Sequence, residues 1–216
     1  MKRFLLLIPL AFAACAPVSR EPQNLSDLKR EVAAYAGSAV YQEDITASVA
    51  SAKPFLQKRS KQGGEKLAVI FDIDETVLSN LPHMKEADWG YQPENWDAWV
   101  ATAKGPALVP VRDVYETALT LGYKVFFLTG RTEADRTATA RNLRNEGMGT
   151  YEKLILRPRK GTAPYVKAVE FKTKVRKDLA GQGYTIVASF GDQDSDLEGG
   201  YSGRVFKLPN PFYKIL

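Results

Sequence analysis

Short apolar segments alternate with helix-forming segments from residue 66 onward, and this alternation limits the possible folds more than any other feature. The apolar segments are rich in β-branched and aromatic residues, which is typical of buried parallel strands. They cover residues 67–72, 124–129, 153–157, 185–191 and 204–208, with helical patterns between them at 111–121, 133–145 and 172–180. Strands that alternate with helices in this way predict an α/β fold with a doubly wound, mainly parallel sheet.

Two further regions flank or interrupt this alternating part. Residues 31–64 show an amphipathic helical pattern, interrupted near Pro54, and we expect this segment to pack on the core. Residues 65–216 would form the core itself. An insertion at residues 79–109 contains all three tryptophans of the chain, and its place after the first strand predicts a small cap over the strand ends.

The N-terminus has the pattern of an export signal. Lys2 and Arg3 precede an apolar run that ends at Ala14, and this run is shorter than the 20 or so residues a membrane helix needs. We therefore predict a signal peptide at residues 1–14 and a polar tether at 15–30. The single cysteine, Cys15, follows two alanines, as at the lipidation site of bacterial lipoproteins.

Two locations follow from this pattern. Lipidation of Cys15 would anchor the protein at the periplasmic face of a bacterial membrane, whereas ordinary cleavage after Ala13 would release it into the periplasm.

A single cysteine excludes an internal disulfide, so the core must supply the stability. The net charge of +5 would fall to +3 without the leader, and the basic residues are mostly dispersed. We therefore expect no nucleic-acid partner.

Several chemistries lack the residues they need. One cysteine and one histidine exclude a Cys/His zinc cluster, and we expect the histidine, His83, to be a surface residue in a polar loop. The chain has no G-x-S-x-G elbow, no Walker sequence and no dinucleotide-binding glycine pattern. The remaining candidates for chemistry are acidic residues near the ends of the predicted strands.

Acidic and phosphate-binding residues lie at the carboxyl ends of three of the predicted strands. These residues are Asp72 and Asp74 after the first strand, Thr129, Gly130 and Arg131 after the second, and Asp192 with Asp196 after the fourth. Because parallel strands end at one edge of a sheet, the groups should converge there, where ligands bind in open α/β folds. Carboxylates this close repel one another and repel phosphate, and oxygen ligands without histidine or cysteine favour Mg²⁺. The sequence thus predicts a magnesium site that also binds phosphoryl oxygens.

The same residues resemble a known family. The motifs FDIDETVLSNLP (residues 71–82), LTGR (128–131), EKLILR (152–157), GDQDSD (191–196) and FKLPNPFY (206–213) are similar to those of haloacid dehalogenase superfamily acid phosphatases. Both the plant vegetative-storage-protein type and bacterial lipoprotein phosphatases, some of them 5′-nucleotidases, belong to this branch. The resemblance implies the Rossmann-like fold of that superfamily, a Mg²⁺ cofactor and hydrolysis of small phosphate monoesters, nucleoside monophosphates among them.

The resemblance also implies roles for individual residues. Asp72 would be the nucleophile that forms an aspartyl-phosphate, and Asp74 would act as general acid and base. Asp72, the Asp74 carbonyl and Asp192 would hold Mg²⁺, with Asp196 close by. Thr129, Gly130, Arg131 and a lysine would bind the phosphoryl group. Lys172 matches the family's lysine best, and Lys174 is the alternative.

The sequence leaves alternatives open for the role of the cap aromatic residues and for the function of the protein. The aromatic residues Trp89, Tyr91, Trp96 and Trp99 could stack on a nucleobase, but the i, i+3 spacing of Trp96 and Trp99 equally favours packing of the cap. A non-enzymatic storage or binding protein on the same fold is one alternative function. A phosphotransferase or a phosphonatase-like relative is another.

Overall fold

A five-stranded parallel sheet forms the centre of the computed structural model, which describes residues 21–159 and 161–215. The strands are β1 (Leu67–Phe71), β2 (Lys124–Thr132), β3 (Lys153–Arg157), β4 (Thr185–Gly191) and β5 (Arg204–Lys207). Their spatial order is β3-β2-β1-β4-β5, and every neighbouring pair is parallel. The predicted doubly wound α/β fold is therefore confirmed, with β1 at the middle of the sheet.

Helices cover the sheet and form the insertion. They are α1 (Leu25–Ala36), α2 (Ala39–Val49), α3 (Ala52–Ser60), α4 (Leu81–Glu86), α5 (Pro93–Thr102), α6 (Val109–Thr120), α7 (Arg136–Asn145), α8 (Ala168–Gly181) and α9 (Asp194–Leu197). Helices α4 and α5 lie in the insertion between β1 and α6. No helix within the described ranges is both long and apolar enough to cross a membrane.

The core lies on both faces of the sheet. Since side chains alternate along a strand, Val69 and Phe71 of β1 face a cluster that includes residues of α2, α3 and α6, whereas Ala68 and Ile70 face a smaller cluster with Leu179 of α8. Residues 68–71 are at most 3% exposed. A strand buried on both faces has little freedom, so Asp72, which follows it directly, starts from a fixed position.

The N-terminal helices begin earlier than the sequence predicted. Helix α1 starts at Leu25, where the Asn24 side chain accepts a hydrogen bond from the Ser26 amide at 2.9 Å and so caps the helix. The predicted tether at 15–30 is therefore wrong in its C-terminal part. The predicted signal peptide and Cys15 lie outside the described residues.

Two other boundaries also differ from the prediction. The helical segment breaks at residues 50–51 between α2 and α3, whereas Pro54 lies within the first turn of α3, where a missing amide hydrogen is tolerated. Strand β2 extends past Thr129 to Thr132, which pairs with Arg157 of β3. The extension places Gly130 and Arg131 on the strand itself.

Candidate active site

A cavity of about 520 Å³ lies at the carboxyl ends of the strands. Its volume is within the range of small-molecule sites. Asp72, Asp74, Asp192 and Asp196 all contribute to its lining, as does Lys172. The structure therefore brings the predicted carboxylates to one place, and it does so because β1 and β4 are neighbours in the sheet.

Asp72 is held at the floor of this cavity by the backbone and by a lysine. Its amide donates a hydrogen bond to the Phe190 carbonyl of β4 at 2.9 Å. Lys172 of α8 places its Nζ 2.5 Å from Asp72 Oδ1, and the same ammonium group donates to Asp196 Oδ1. Lys174 is exposed and pairs with Asp178. Of the two candidate lysines, Lys172 is the one at the site.

Asp72, Asp192 and Asp196 form a compact acidic cluster around this lysine. One carboxylate oxygen from each residue lies within 4.8 Å of the other two, and all three side chains are buried. Two like charges about 4 Å apart repel by about 4 kcal/mol at an effective dielectric of about 20. Three carboxylates and one ammonium leave two negative charges, so the cluster fits a divalent cation with oxygen ligands.

The ionisation of the cluster reflects this excess of negative charge. Burial raises the pKa of Asp72 well above its ordinary value, although Lys172 opposes the shift. Burial and the neighbouring Asp196 raise the pKa of Asp192 to about 6. Burial alone would lower the pKa of Lys172, but Asp196 and Asp72 raise it above its ordinary value. The lysine is therefore charged, and the carboxylates need a further positive charge to ionise together.

The loop after β4 is fitted closely around Asp196. A Cβ atom at Gly191 would overlap the Asp196 side chain, which requires glycine at this position. The Asp196 carboxylate accepts a hydrogen bond from the Gln193 amide at 2.9 Å, and its carbonyl accepts one from Arg176 Nη1 at 2.7 Å. Arg176 is fully buried and also donates to the carbonyls of Glu198 and Gly200. It therefore orders the loop that carries Asp196.

Asp74 has different partners from Asp72. Arg131 donates to it through Nη2, 2.6 Å from Oδ1, and through Nε, 3.1 Å from Oδ2, while Asn80 Nδ2 lies 2.9 Å from Oδ1. Arg131 Nη1 donates to Thr139. The LTGR motif predicts phosphate binding by Arg131, but in the structure its guanidinium donates to Asp74 and Thr139, because the carboxylate lies within reach of the extended β2.

The other two phosphate-binding candidates lie beside Arg131. Gly130 lines the cavity. Thr129 is fully buried, and its hydroxyl accepts a hydrogen bond from the Arg131 amide at 3.1 Å. Its contact with a phosphoryl group stays a prediction.

The cap aromatics divide into two groups. Tyr91 and Trp96 line the cavity. Trp89 stacks on Phe212 with ring centroids 5.6 Å apart, and Trp99 stacks on His83 at 5.8 Å. The expected surface position of His83 is therefore wrong: it is 6% exposed, because it lies on α4 and its ring packs against Trp96 and Trp99 of α5.

The C-terminal segment supplies site residues to which the sequence analysis gave no role. Asn210 Nδ2 donates to Asp192 Oδ2 at 2.7 Å, and Gln193 donates to the same oxygen. The Tyr213 hydroxyl, at the cavity wall, donates to Glu75 Oε2 at 2.5 Å. Burial and Asp74 raise the pKa of Glu75 to about 8. Both C-terminal residues belong to the motif FKLPNPFY, which was the available signal for them.

Comparison with known proteins agrees with this geometry. Residues 11–216 match the family model described as HAD superfamily, subfamily IIIB (acid phosphatase). Over 152 residues, 68% of this chain, the sequence is 45% identical to the stem 28 kDa glycoprotein of Glycine max. The corresponding identities are 44% to acid phosphatase 1 of Solanum lycopersicum and 38% to vegetative storage protein 2 of Arabidopsis thaliana, with the same coverage of this chain. The matched segments span 59%, 58% and 56% of these relatives.

A solved structure shares the fold. The class C acid phosphatase from Bacillus anthracis, crystallised with tungstate bound, superposes with a TM-score of 0.72. The alignment covers 88% of this chain and 86% of that one at 24% sequence identity.

Proposed function

The chain belongs to the HAD superfamily, subfamily IIIB, the acid phosphatases, and from that membership we propose that it hydrolyses small phosphate monoesters through an aspartyl-phosphate on Asp72. The observation that carries the proposal is the convergence of Asp72, Asp192 and Asp196 around Lys172 at the floor of a cavity. Such a cluster can hold a cation and a phosphoryl group side by side.

In the first step, an Asp72 carboxylate oxygen attacks phosphorus and the bond from phosphorus to the leaving oxygen breaks. Asp74 gives its proton to that oxygen, so an alcohol departs. In the second step, Asp74 takes a proton from water, the water oxygen attacks the phosphorus of the aspartyl-phosphate, and inorganic phosphate leaves with Asp72 restored. Lys172 stabilises the negative charge on the phosphoryl oxygens during both steps.

The residues present fit a divalent metal, because the donor set is buried, all oxygen and two charges in excess. Asp72, Asp192 and Asp196 would hold Mg²⁺ together with the Asp74 carbonyl. When bound, the ion would neutralise phosphoryl charge and favour the ionised form of Asp72. Asn210 and Gln193 fix the orientation of Asp192 toward that position.

The aromatic wall supports a substrate with a flat leaving group. Tyr91, Trp96 and Tyr213 line the cavity beside the acidic cluster. Their rings would stack on a nucleobase, so nucleoside monophosphates are the substrates we propose to try first. Trp89 packs on Phe212 and Trp99 packs on His83, so both would act only indirectly.

The test is turnover of a panel of phosphate monoesters with and without a chelator, for wild type and Asp72→Asn. We expect metal-dependent release of phosphate by wild type, and a loss of about 10³-fold or more in Asp72→Asn, since the attacking oxygen is removed. Circular dichroism would check that both proteins fold. Wild-type protein without turnover of any ester would instead favour a storage protein, the function named for some relatives.

Export and lipid anchoring form a separate proposal that rests on the N-terminal sequence pattern. Expression of the full chain in a bacterium should give membrane-associated protein that incorporates labelled fatty acid. Cys15→Ser should lose both the label and the association. Wild-type protein found in the periplasm without the fatty-acid label would favour ordinary cleavage after Ala13.

A further inference from the structure

Within the described ranges, one basic side chain of the cavity has no acidic partner. Lys172 pairs with Asp72 and Asp196, Arg131 pairs with Asp74, and Lys214 lies 3.8 Å from Asp194. Arg157, the last residue of β3, also lines the cavity. No ion pair joins it to any acidic side chain in the part of the chain that the structure describes.

The Arg157 side chain is nevertheless held in place. Its guanidinium carbon lies 5.3 Å from the ring centroid of Tyr165 and 5.6 Å from that of Phe171, and Nη2 donates to the Val166 carbonyl. One carbonyl uses one of five N–H groups, so most of the donors stay available. A planar, oriented guanidinium suits bidentate binding of a carboxylate or phosphate. Arg157 thus has the chemistry of an anion-binding group.

The sheet order separates Arg157 from the phosphoryl site. Strand β2 lies between β3 and β1. Adjacent strands are about 4.8 Å apart, so the backbone of Arg157 lies about 10 Å from the strand that leads into Asp72. This spacing favours a contact with the leaving group of the substrate rather than with the phosphoryl group at Asp72.

We propose that Arg157 forms a subsite for a second anionic group, so that the preferred substrates are phosphate monoesters whose leaving group carries a carboxylate or another phosphate. The proposal rests on the proposed function. It adds a charge requirement at the far end of the substrate that aromatic stacking by Tyr91 and Trp96 would not impose.

Paired substrates of one shape test the subsite. We would measure kcat/KM for phenyl phosphate, 4-carboxyphenyl phosphate and 1,4-phenylene bisphosphate with wild type, Arg157→Gln and Arg159→Gln. Arg159 is two residues further along the chain, is exposed and lies outside the cavity lining, so its variant removes the same charge without changing the cavity. Wild type should prefer at least one anionic ester over phenyl phosphate by ten-fold or more. Arg157→Gln should reduce that ratio to about one, whereas Arg159→Gln should keep it within two-fold.

Binding measurements separate the subsite from the reaction. Calorimetry would measure the Kd of benzylphosphonate, 4-carboxybenzylphosphonate and 1,4-phenylene bisphosphonate. None of the three contains a phosphate ester bond that the proposed reaction could hydrolyse. Tighter binding of either anionic analogue by wild type, lost in Arg157→Gln, would support the subsite even if no ester were turned over. Turnover without any preference among the three esters would overturn the subsite and leave the phosphatase proposal intact. Comparison of the carboxylate compounds with the bisphosphate and bisphosphonate compounds shows which anion Arg157 prefers.

Discussion

Asp72 and Asp74 leave the same strand two residues apart, yet their surroundings carry different charge. The Asp72 side chain is 7% exposed and shares Lys172 with Asp196, close to Asp192, which leaves an excess of two negative charges. The Asp74 side chain is 15% exposed and pairs with one arginine, so this ion pair carries no net charge. Asp72 therefore lies where a metal and a phosphoryl group would bind, whereas Arg131 and Asn80 fix the orientation of the Asp74 carboxylate.

The two sides also differ in what connects them to the rest of the molecule. The Asp72 side is tied to α8, to the loop after β4 and to the C-terminal segment, through Lys172, Arg176 and Asn210. The Asp74 side is tied to the cap: Asn80 donates to Asp74, Trp99 donates to Asn80 at 2.7 Å, and His83 stacks on Trp99. Substitutions on one side should change metal binding, and those on the other should change proton transfer.

Lys172→Met should have the largest effect of the following variants. It removes the ammonium group that pairs with Asp72 and Asp196, so we expect kcat to fall by about 10²–10³-fold. Breaking a buried ion pair costs about 3–5 kcal/mol of unfolding free energy. Added Mg²⁺ should restore stability more in this variant than in wild type, because the cluster then depends on the metal alone. Urea unfolding in EDTA and in Mg²⁺ measures both.

Lys174→Met is the matched control, since Lys174 is two residues away and exposed. Its unfolding free energy should change by no more than about 0.5 kcal/mol. Equal destabilisation by the two substitutions, or an equal gain of stability from Mg²⁺, would contradict the role given to Lys172.

Arg131→Gln should affect the Asp74 side only. We expect kcat to fall about 10–10²-fold for glycerol 1-phosphate, because its alkoxide leaving group needs the proton that Asp74 supplies. The loss should be smaller for 4-nitrophenyl phosphate, whose leaving group is stable without a proton. Binding of Mn²⁺, followed by electron paramagnetic resonance, should be unchanged. Arg144→Gln, on the exposed face of α7, is the control, and equal losses for the two esters would argue against proton transfer by Asp74.

The strand-end residues were predictable because one simple rule places them. Parallel strands end at one edge of the sheet, which brings Asp72 and Asp192 to one site. The pairing of Arg131 with Asp74 was not predictable, since the motifs indicate phosphate binding for Arg131 and proton transfer for Asp74, and the length of β2 decides their contact.

The C-terminal residues could not be placed from periodicity either. Asn210 follows the last strand in a segment without helix or strand, so no repeating pattern indicates which way its side chain points. Lys172 and Arg176 are different, because they lie four residues apart on α8 with Ala168 and Leu179, and all four are buried. Helical spacing therefore separates Lys172 from Lys174, which the motif alone did not.

Asn210→Ala should produce a moderate effect confined to the Asp72 side. Loss of a side chain that orients a metal ligand typically weakens metal binding about 10-fold or more. We expect the Mg²⁺ concentration for half-maximal activity and the Kd for Mn²⁺ to rise by that factor. Asn145→Ala, at the exposed end of α7, is the control. An unchanged Kd for Mn²⁺ would show that Asn210 does not orient Asp192 for metal binding.

Substitution of His83, on the Asp74 side, should have the smallest effect of these variants. Burial lowers the pKa of His83 below its ordinary value, with Glu86 opposing the shift. As the pH falls through about 6.5, the unfolded chain binds a proton that the folded protein does not, so stability should decrease below that pH. Because the chain has one histidine, NMR of tag-free protein reports its pKa directly.

We therefore expect the imidazole to titrate below pH 6.5, and urea unfolding to show less stability at pH 5.5 than at 7.5. His83→Phe keeps an aromatic ring against Trp99 and should lose the part of this pH dependence that one proton supplies. That part is at most about 1.4 kcal/mol per pH unit. The same pH dependence in both proteins would place the titrating group elsewhere. Unchanged Mn²⁺ binding in His83→Phe would agree with a separation between the Asp74 side, which includes the cap, and the Asp72 side, which would bind the metal.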